Sequence, residues 1–455
     1  MTPTRSQFHS DSPTSVRWFV LGIVSFAAAS AYLTRYCISA ANTTIQQDLE
    51  FSDSQMGELM SVFAVGYLLC QVPGGWLGNR FGTRFAFAFL SVCWSFSNVW
   101  SAMASAFQMQ WASRFSLGLF QAGLTPISAR ILKDWIPLQW RGRSSSWITA
   151  SMSVGGAFTM VLTGWLLGQG YGWRAIFSVY SLVGVAWAVG FYWYFRTFPQ
   201  DHRSVNQAEL TLIRKSDRSA DGTTELREYQ PIQEDVVTQH ETSHHVLMLN
   251  MLKCPGMWGL CVQSFFRAAG YVFFVTWFFA FLEYVYDIDK AEAGLLNSLP
   301  LIAVVVGSIA GGIIVDWLFQ VSGSKWISRS GTAIVSLSVC GFLTMASAWT
   351  SSATELSVVI AIGALFSGIG SPAAWTATID IGGRHTAVVM AVMNMAGCLA
   401  GVLLPLLLGN WFEQIRETDG NWNLVIYLHA VFYFSGALSW ILVNPLRTIE
   451  DGHAV

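Results

Sequence analysis

Arg35, Arg114 and Arg267 each fall inside a long apolar stretch, and no carboxylate lies in the middle of any such stretch; Glu58, Glu283, Asp316 and Asp380 all sit toward the ends. A guanidinium at the centre of a bilayer costs about 3 kcal/mol or more. It persists there when a water-filled cavity or an anion faces it, because a buried charge without a counter-charge is strongly destabilising. The planar guanidinium fork binds a carboxylate or a phosphate through two parallel hydrogen bonds, which makes a small organic anion the natural counter-charge. The competing reading is that each arginine snorkels to an interface or caps backbone carbonyls. Tyr32, Tyr67, Gln121, Tyr271, Trp375 and Asn394 occupy the same stretches and could orient such a cargo. Helix-to-helix hydrogen bonds account for any one of them equally well.

The elements that hold these residues are membrane spans. The chain has 455 residues, 53% hydrophobic and 11% charged, against roughly 25% charged in a soluble protein. A spanning helix needs about 20 mostly apolar residues. Such segments follow one another at 17–41, 55–78, 83–106, 107–131, 144–169, 172–195, 256–285, 290–318, 329–350, 353–380, 386–411 and 422–445. The expected fold is therefore all-α, with twelve transmembrane helices in two six-helix bundles, 17–195 and 256–445. Many of the 21 tryptophans, Trp18, Trp100, Trp135 and Trp147 among them, stand where apolar runs end, as rings at headgroup depth do. Residues 1–16 and 446–455 read as polar tails, and 196–255 as a solvated linker. His240, His244 and His245 in that linker lack any further metal-ligand pattern, and the seven cysteines are scattered through apolar segments without a CxxC pair. No metal or cofactor is expected. The polar N-terminus leads into its first apolar run without a small-residue cleavage pattern, which argues against a removable signal peptide.

The basic residues test this layout. With both termini placed in the cytoplasm, the short cytoplasmic loops and ends hold most of the Lys and Arg, and only Arg174, Lys290 and Arg416 fall on the other side. A miscounted helix would invert every later loop, so the asymmetry supports both the count and the orientation, in a cell (inner) membrane. The halves also echo one another at an offset of about 240 residues. Gly74-Gly75 answers Gly311-Gly312, Pro126 answers Pro372, and Gly155-Gly156-Ala157 answers Ala396-Gly397-Cys398. Transporters built from repeats bind cargo near the bilayer midplane, between the repeats.

The loop after the second span reads Gly75-Trp-Leu-Gly-Asn79-Arg80-Phe-Gly82-Thr-Arg84. It resembles the major facilitator signature GxLxDRxGxR, with Asn79 where that family usually has Asp; the second copy, Gly311 to Asp316, keeps its acid. In that family the motif braces the outward-open state. Within it the chain resembles the anion:cation symporters, which include bacterial galactonate and hexuronate permeases and the animal sialic acid and vesicular glutamate transporters. The resemblance rests on Tyr32-Leu-Thr34-Arg35, on Gly66-Tyr67 through Gln71-Val-Pro73-Gly-Gly75, on Arg114 through Gln121, on Gly172-Trp173-Arg174, and on Pro372 to Trp375 with Asp380. It implies that Arg35, Arg114, Tyr32, Tyr67, Trp375 and Asn394 face the cargo, and it likens Arg267 to the helix 7 arginine of the vesicular glutamate group. Sugar-acid symporters of that family carry Asp before the first arginine and Glu on the fourth helix, where they take up the coupling proton. Here those positions are Thr34 and Gln121, which cannot titrate.

The function expected from the sequence is transport of a small organic anion, such as a sugar acid, by alternating access, with a coupling ion as a further candidate partner and a monomer in the bilayer as the working unit. Exchange of organophosphates is the alternative within transport, and a membrane anion sensor the alternative outside it. The sequence carries no nucleophile and base pair, no metal-ligand cluster and no GxxxxGK[ST] loop, so neither an enzyme nor a self-powered ATP pump is expected. A net charge of −2 gives no reason to expect a nucleic-acid partner.

Overall fold

The structure is a computed structural model that describes residues 12–213, 251–382 and 386–446. Twelve membrane crossings follow in order: α1 (Val16–Ala40), α2 (Asp53–Phe81), α3 (Thr83–Met103), α4 (Phe107–Gln121, resuming as Leu124–Trp135), α5 (Leu138–Gly168), α6 (Trp173–Tyr194), α7 (Pro255–Thr276), α8 (Lys290–Ser322), α9 (Thr332–Ser347), α10 (Ala353–Gly382), α11 (Thr386–Thr418) and α12 (Asn423–Ser439). Among the described residues eleven helices are long and apolar enough to cross a membrane unaided; the fourth crossing is shared by the two pieces of α4. Two short helices, Asn42–Leu49 and Phe278–Tyr286, lie on the side opposite the linker.

Local chemistry sets these boundaries. Ser52 accepts from the Gln55 backbone N–H while the Gln55 side chain accepts from the Ser52 N–H, a reciprocal cap that starts α2. Gly82 ends it at φ +80°, a conformation that side chains with a Cβ rarely adopt. Asp289 caps α8 by accepting from the Glu292 N–H at 2.9 Å. The single spans expected at 107–131 and 256–285 are both interrupted. α4 breaks at Ala122-Gly123, where Gly123 meets the backbone of Gly74, and the seventh crossing breaks at Trp277, whose indole N–H donates to the Pro405 carbonyl at 3.1 Å. Apolar content is continuous through both breaks, so hydropathy does not register them.

Two further expectations need correction. Trp135 is 0% exposed rather than facing lipid headgroups; it packs on Phe195 and His202, and its indole N–H donates to the Arg196 carbonyl. The start of the predicted solvated linker is packed onto the N-terminal bundle. Glu209 is fully buried and accepts from the backbone and side chain of Arg17, at 3.1 and 2.8 Å, and from Thr14. An acid expected in water thus closes the foot of α1. Residues 214–250, with the three linker histidines, lie outside the described residues, as do 1–11 and 447–455.

The halves touch along α2 and α11, α5 and α8, and α1 and α7. Their joining bonds cluster away from the linker. Arg416 pairs with Asp53 at 2.9 Å, the Tyr284 hydroxyl donates to Asp53 and Gln46, Thr43 donates to Glu283, and Lys290 donates to Thr44. Beside them the Arg174 guanidinium and the Trp173 indole N–H hold Asp48 below the usual carboxylate range. On the linker side the ion pairs Arg130–Asp134, Lys325–Asp380, Arg329–Asp380 and Arg17–Glu209 each stay within one half. The bundles are clasped on one side and separately braced on the other.

Backbone contact at Gly409 permits the clasp: a Cβ there would lie 2.5 Å from the Asp53 carbonyl oxygen and 3.0 Å from the Gly57 Cα. Gly409→Val is therefore expected to wedge the halves apart. In a background without the native cysteines, a cysteine at position 61 should react about tenfold faster with a membrane-impermeant maleimide, the response to about 1.4 kcal/mol in the gating equilibrium. An unchanged labelling rate would count against the clasp.

Candidate anion-binding site

The centre of the N-terminal bundle is built around Arg35. Its Nε donates to Gln121 Oε1 at 3.1 Å, and its guanidinium carbon lies 4.5 Å from the Tyr32 ring centre and 4.9 Å from those of Phe63 and Tyr67. Three aromatic faces leave the ion in place without neutralising it. One terminal nitrogen, Nη2, is buried and has no partner. Gln121 is itself buried, and its Nε2 donates to the Ala31 carbonyl at 3.0 Å and to Thr34 Oγ1 at 2.9 Å. Since arginine offers donors only, the Gln121 amide must turn its oxygen to Arg35. All its hydrogen bonds go to α1, so Gln121 orients Arg35.

Arg114 adopts the bland alternative. It is 2% exposed, and its terminal nitrogens donate to the carbonyls of Thr34 and Arg35 at 3.3 and 3.1 Å. Those contacts hold α1 against α4, while Nε of Arg114, like Nη2 of Arg35, is buried without a partner among the described residues. Phe63 lies over both guanidiniums, 4.9 Å from Arg35 and 5.3 Å from Arg114.

Arg267 supplies the matching charge from the other half. It has no hydrogen-bond or ion-pair partner among the described residues, and its Nε is buried. Tyr271, one turn further along α7, lies near Tyr36 and Tyr32 of α1. Tyr433 of α12 lies near Arg267. Tyr36 packs edge-on to Tyr32 at 5.2 Å, and Cys398 of α11 lies near Arg35 and Tyr32.

The structure thus brings together Arg35, Tyr32, Tyr67, Gln121 and Tyr271, with Arg267 one turn from Tyr271 on α7. Trp375, 55% exposed on α10, and Asn394, exposed on α11, make no hydrogen bond to this group. Phe63 and Tyr36 are members that inspection of polar residues passes over. The i, i+4 pair Phe63 and Tyr67, and the run Tyr32 to Tyr36 around Arg35, were the available signals.

Two repeats of six helices, clasped on one side around central arginines, constitute a known architecture. Residues 24–405 match the Major Facilitator Superfamily. The chain belongs to that superfamily. Its relatives include a probable sulfoacetate transporter of Cupriavidus necator, 24% identical over 96% of this chain and 95% of that one. A probable galactarate/D-glucarate transporter of Bacillus subtilis is 26% identical, with 96% and 94% covered. A D-galactonate transporter of Escherichia coli is 25% identical, with 95% and 96% covered. Among solved structures, a bacterial homologue of the human lysosomal transporter Spinster, inward-facing and unoccupied, superposes with a TM-score of 0.70 at 18% identity over 94% of this chain and 95% of that one. A D-xylose-proton symporter gives 0.68 at 13%, over 96% and 99%. This major facilitator chain is a multi-pass transporter and not an enzyme.

The superfamily signature loop has its own geometry here. Asn79 accepts from Arg130 Nη1 at 3.0 Å, while Arg84 donates to the Tyr192 carbonyl at 2.8 Å and lies over the Tyr192 ring at 4.4 Å. Gly75 packs against Pro126, and Arg80 is exposed. Asp316, the acid of the second copy, is exposed and has no ion-pair partner among the described residues; Asp380 instead takes the two cations of the following loop, Lys325 and Arg329. Gly82→Ala is expected to cost about 1–3 kcal/mol through its positive φ. A melting temperature equal to that of the unaltered protein would contradict this.

Proposed function

We propose that this transporter carries a small organic anion with two acidic ends, such as an aldarate or a sulfonated carboxylate, one end on Arg35 and the other on Arg267. The observation that carries the reading is that both halves hold guanidinium nitrogens buried without a partner among the described residues, Nη2 of Arg35 with Nε of Arg114 in one half and Nε of Arg267 in the other. A cargo that bridges them supplies both counter-charges and ties the bundles together, as alternating access about a midplane site requires. The named cargoes of the relatives, sulfoacetate, galactarate and glucarate, are anions with two acidic ends, while galactonate has one.

In this reading Arg35, Arg267, Tyr32, Tyr67 and Tyr271 contact cargo, whereas Arg114 and Gln121 position Arg35. The linker side faces the cytoplasm of a cell membrane, as its excess of basic residues favours, and the described state opens inward. One chain suffices, since the site lies between its own two halves. Thr34 and Gln121 leave no carboxylate on Arg35, and in this reading transport proceeds by exchange, by facilitation or with an ion other than the proton.

Uptake into liposomes tests the reading. Glucarate is expected to outcompete galactonate. Arg267→Gln is expected to remove that preference by weakening glucarate about tenfold or more, the loss of one charge-assisted contact. Equal loss of both substrates in Arg267→Gln would refute a two-ended cargo.

A further inference from the structure

Away from the central site, a cavity of about 450 Å³ opens on the linker side where the signature loop, the end of α4 and the chain leaving α6 meet. Thr83, Arg84, Arg130, Asp134, Arg196 and Asp201 line it. Arg130 is matched by Asp134 at 3.0 Å. Among the described residues Arg84 and Arg196 meet no acid: the first donates to the Tyr192 carbonyl, the second to those of Trp193 and Phe195 at 2.9 Å. Those carbonyls are the free end of α6, so each guanidinium caps the helix and keeps its full charge. The Thr83 hydroxyl in the same wall is buried without a partner. Asp201 takes part in no ion pair among the described residues, and three arginines against two acids leave the cavity with a net positive charge.

The surroundings select the source of an anion. Trp193 is 80% exposed and Tyr192 is exposed beside it, an arrangement typical of the last turn of a span at headgroup depth. A second cavity of about 430 Å³ adjoins through Arg196 and adds Arg203 and His202. A phosphate entering here arrives with acyl chains that can lie along α6.

We propose that this cavity binds the phosphate of an anionic phospholipid from the linker-side leaflet, held between Arg84 and Arg196 with the Thr83 hydroxyl as a further donor. The lipid joins the signature loop to the end of α6. It thereby couples the surface charge of the membrane to the stiffness of the N-terminal bundle, independently of the cargo arginines.

The test uses the purified full chain. Its melting temperature is measured with added phosphatidylglycerol, phosphatidylcholine or inorganic phosphate, and retained lipid is counted by native mass spectrometry. Phosphatidylglycerol alone is expected to raise the melting point and to be retained at one copy. Arg84→Gln should reduce that retention by about tenfold. Asp201→Asn removes a repelling charge without touching a helix cap, so it should increase retention even if the arginine variant folds poorly. Equal effects of phosphatidylcholine, an equal effect of phosphate alone, or unchanged retention in Asp201→Asn would each overturn the proposal.

Discussion

Arg35→Gln is expected to abolish uptake, with a loss of about 30-fold to several thousand-fold in apparent affinity. The range follows from the cost of truncating one member of a buried, hydrogen-bonded charge pair, about 2–5 kcal/mol, at 1.4 kcal/mol per factor of ten. Arg35→Lys is expected to rescue little. A lysine ammonium has neither the Nε that meets Gln121 at 3.1 Å nor the planar face that three aromatic rings flank. Arg114 gives the contrast. It is tied to the carbonyls of Thr34 and Arg35, so Arg114→Gln is expected to lower the melting temperature first and affinity second. Direct binding of a radiolabelled sugar acid, with thermal unfolding on the same preparations, separates the two. Near-normal binding by Arg35→Gln would remove the basis for an anion site at this position.

The difference between those arginines marks the limit of what residue types disclose. Twelve crossings, two halves and a cluster of cations without carboxylates are legible because hydrocarbon thickness and burial cost act on composition alone. The direction of a side chain depends on its neighbours. Arg114 is held by backbone carbonyls, and a carbonyl is present at every position, so no sequence pattern announces that it will act as a cap. The clasp is hidden for a similar reason. Asp53 and Arg416 are 363 residues apart and read as ordinary outer-loop charges until α2 and α11 pack at Gly57 and Gly409. The breaks at Gly123 and Trp277 escape hydropathy because both flanks are apolar. Asn79 could be recognised as an exception to the signature, but its bond to Arg130 required the fold.

Gln121→Glu is expected to add a pH dependence at Arg35 that the unaltered protein lacks there. In the unaltered protein the groups around the Arg35 nitrogens are an amide, a hydroxyl, carbonyls and phenolic rings, none of which changes charge between pH 5 and 8. A carboxylate at position 121 would stand where the amide oxygen now accepts from Arg35 Nε, and the arginine would hold it ionised. At high pH that internal anion competes with cargo for the guanidinium. As pH falls through its pKa the carboxyl takes up a proton, the competition ends and cargo binds. The pKa of such a group is lowered by the arginine when the site is empty and raised when an anionic cargo sits beside it, so cargo binding itself draws in a proton. Initial uptake rates without a pH gradient should therefore rise about tenfold more between pH 8 and pH 5 in Gln121→Glu than in the unaltered protein. A pH dye inside liposomes of the variant should report acidification on cargo uptake, and the unaltered protein should give no such signal. Proton uptake by the unaltered protein would show that coupling resides elsewhere in the chain. A flat profile in the variant would show that position 121 does not govern the charge state of Arg35.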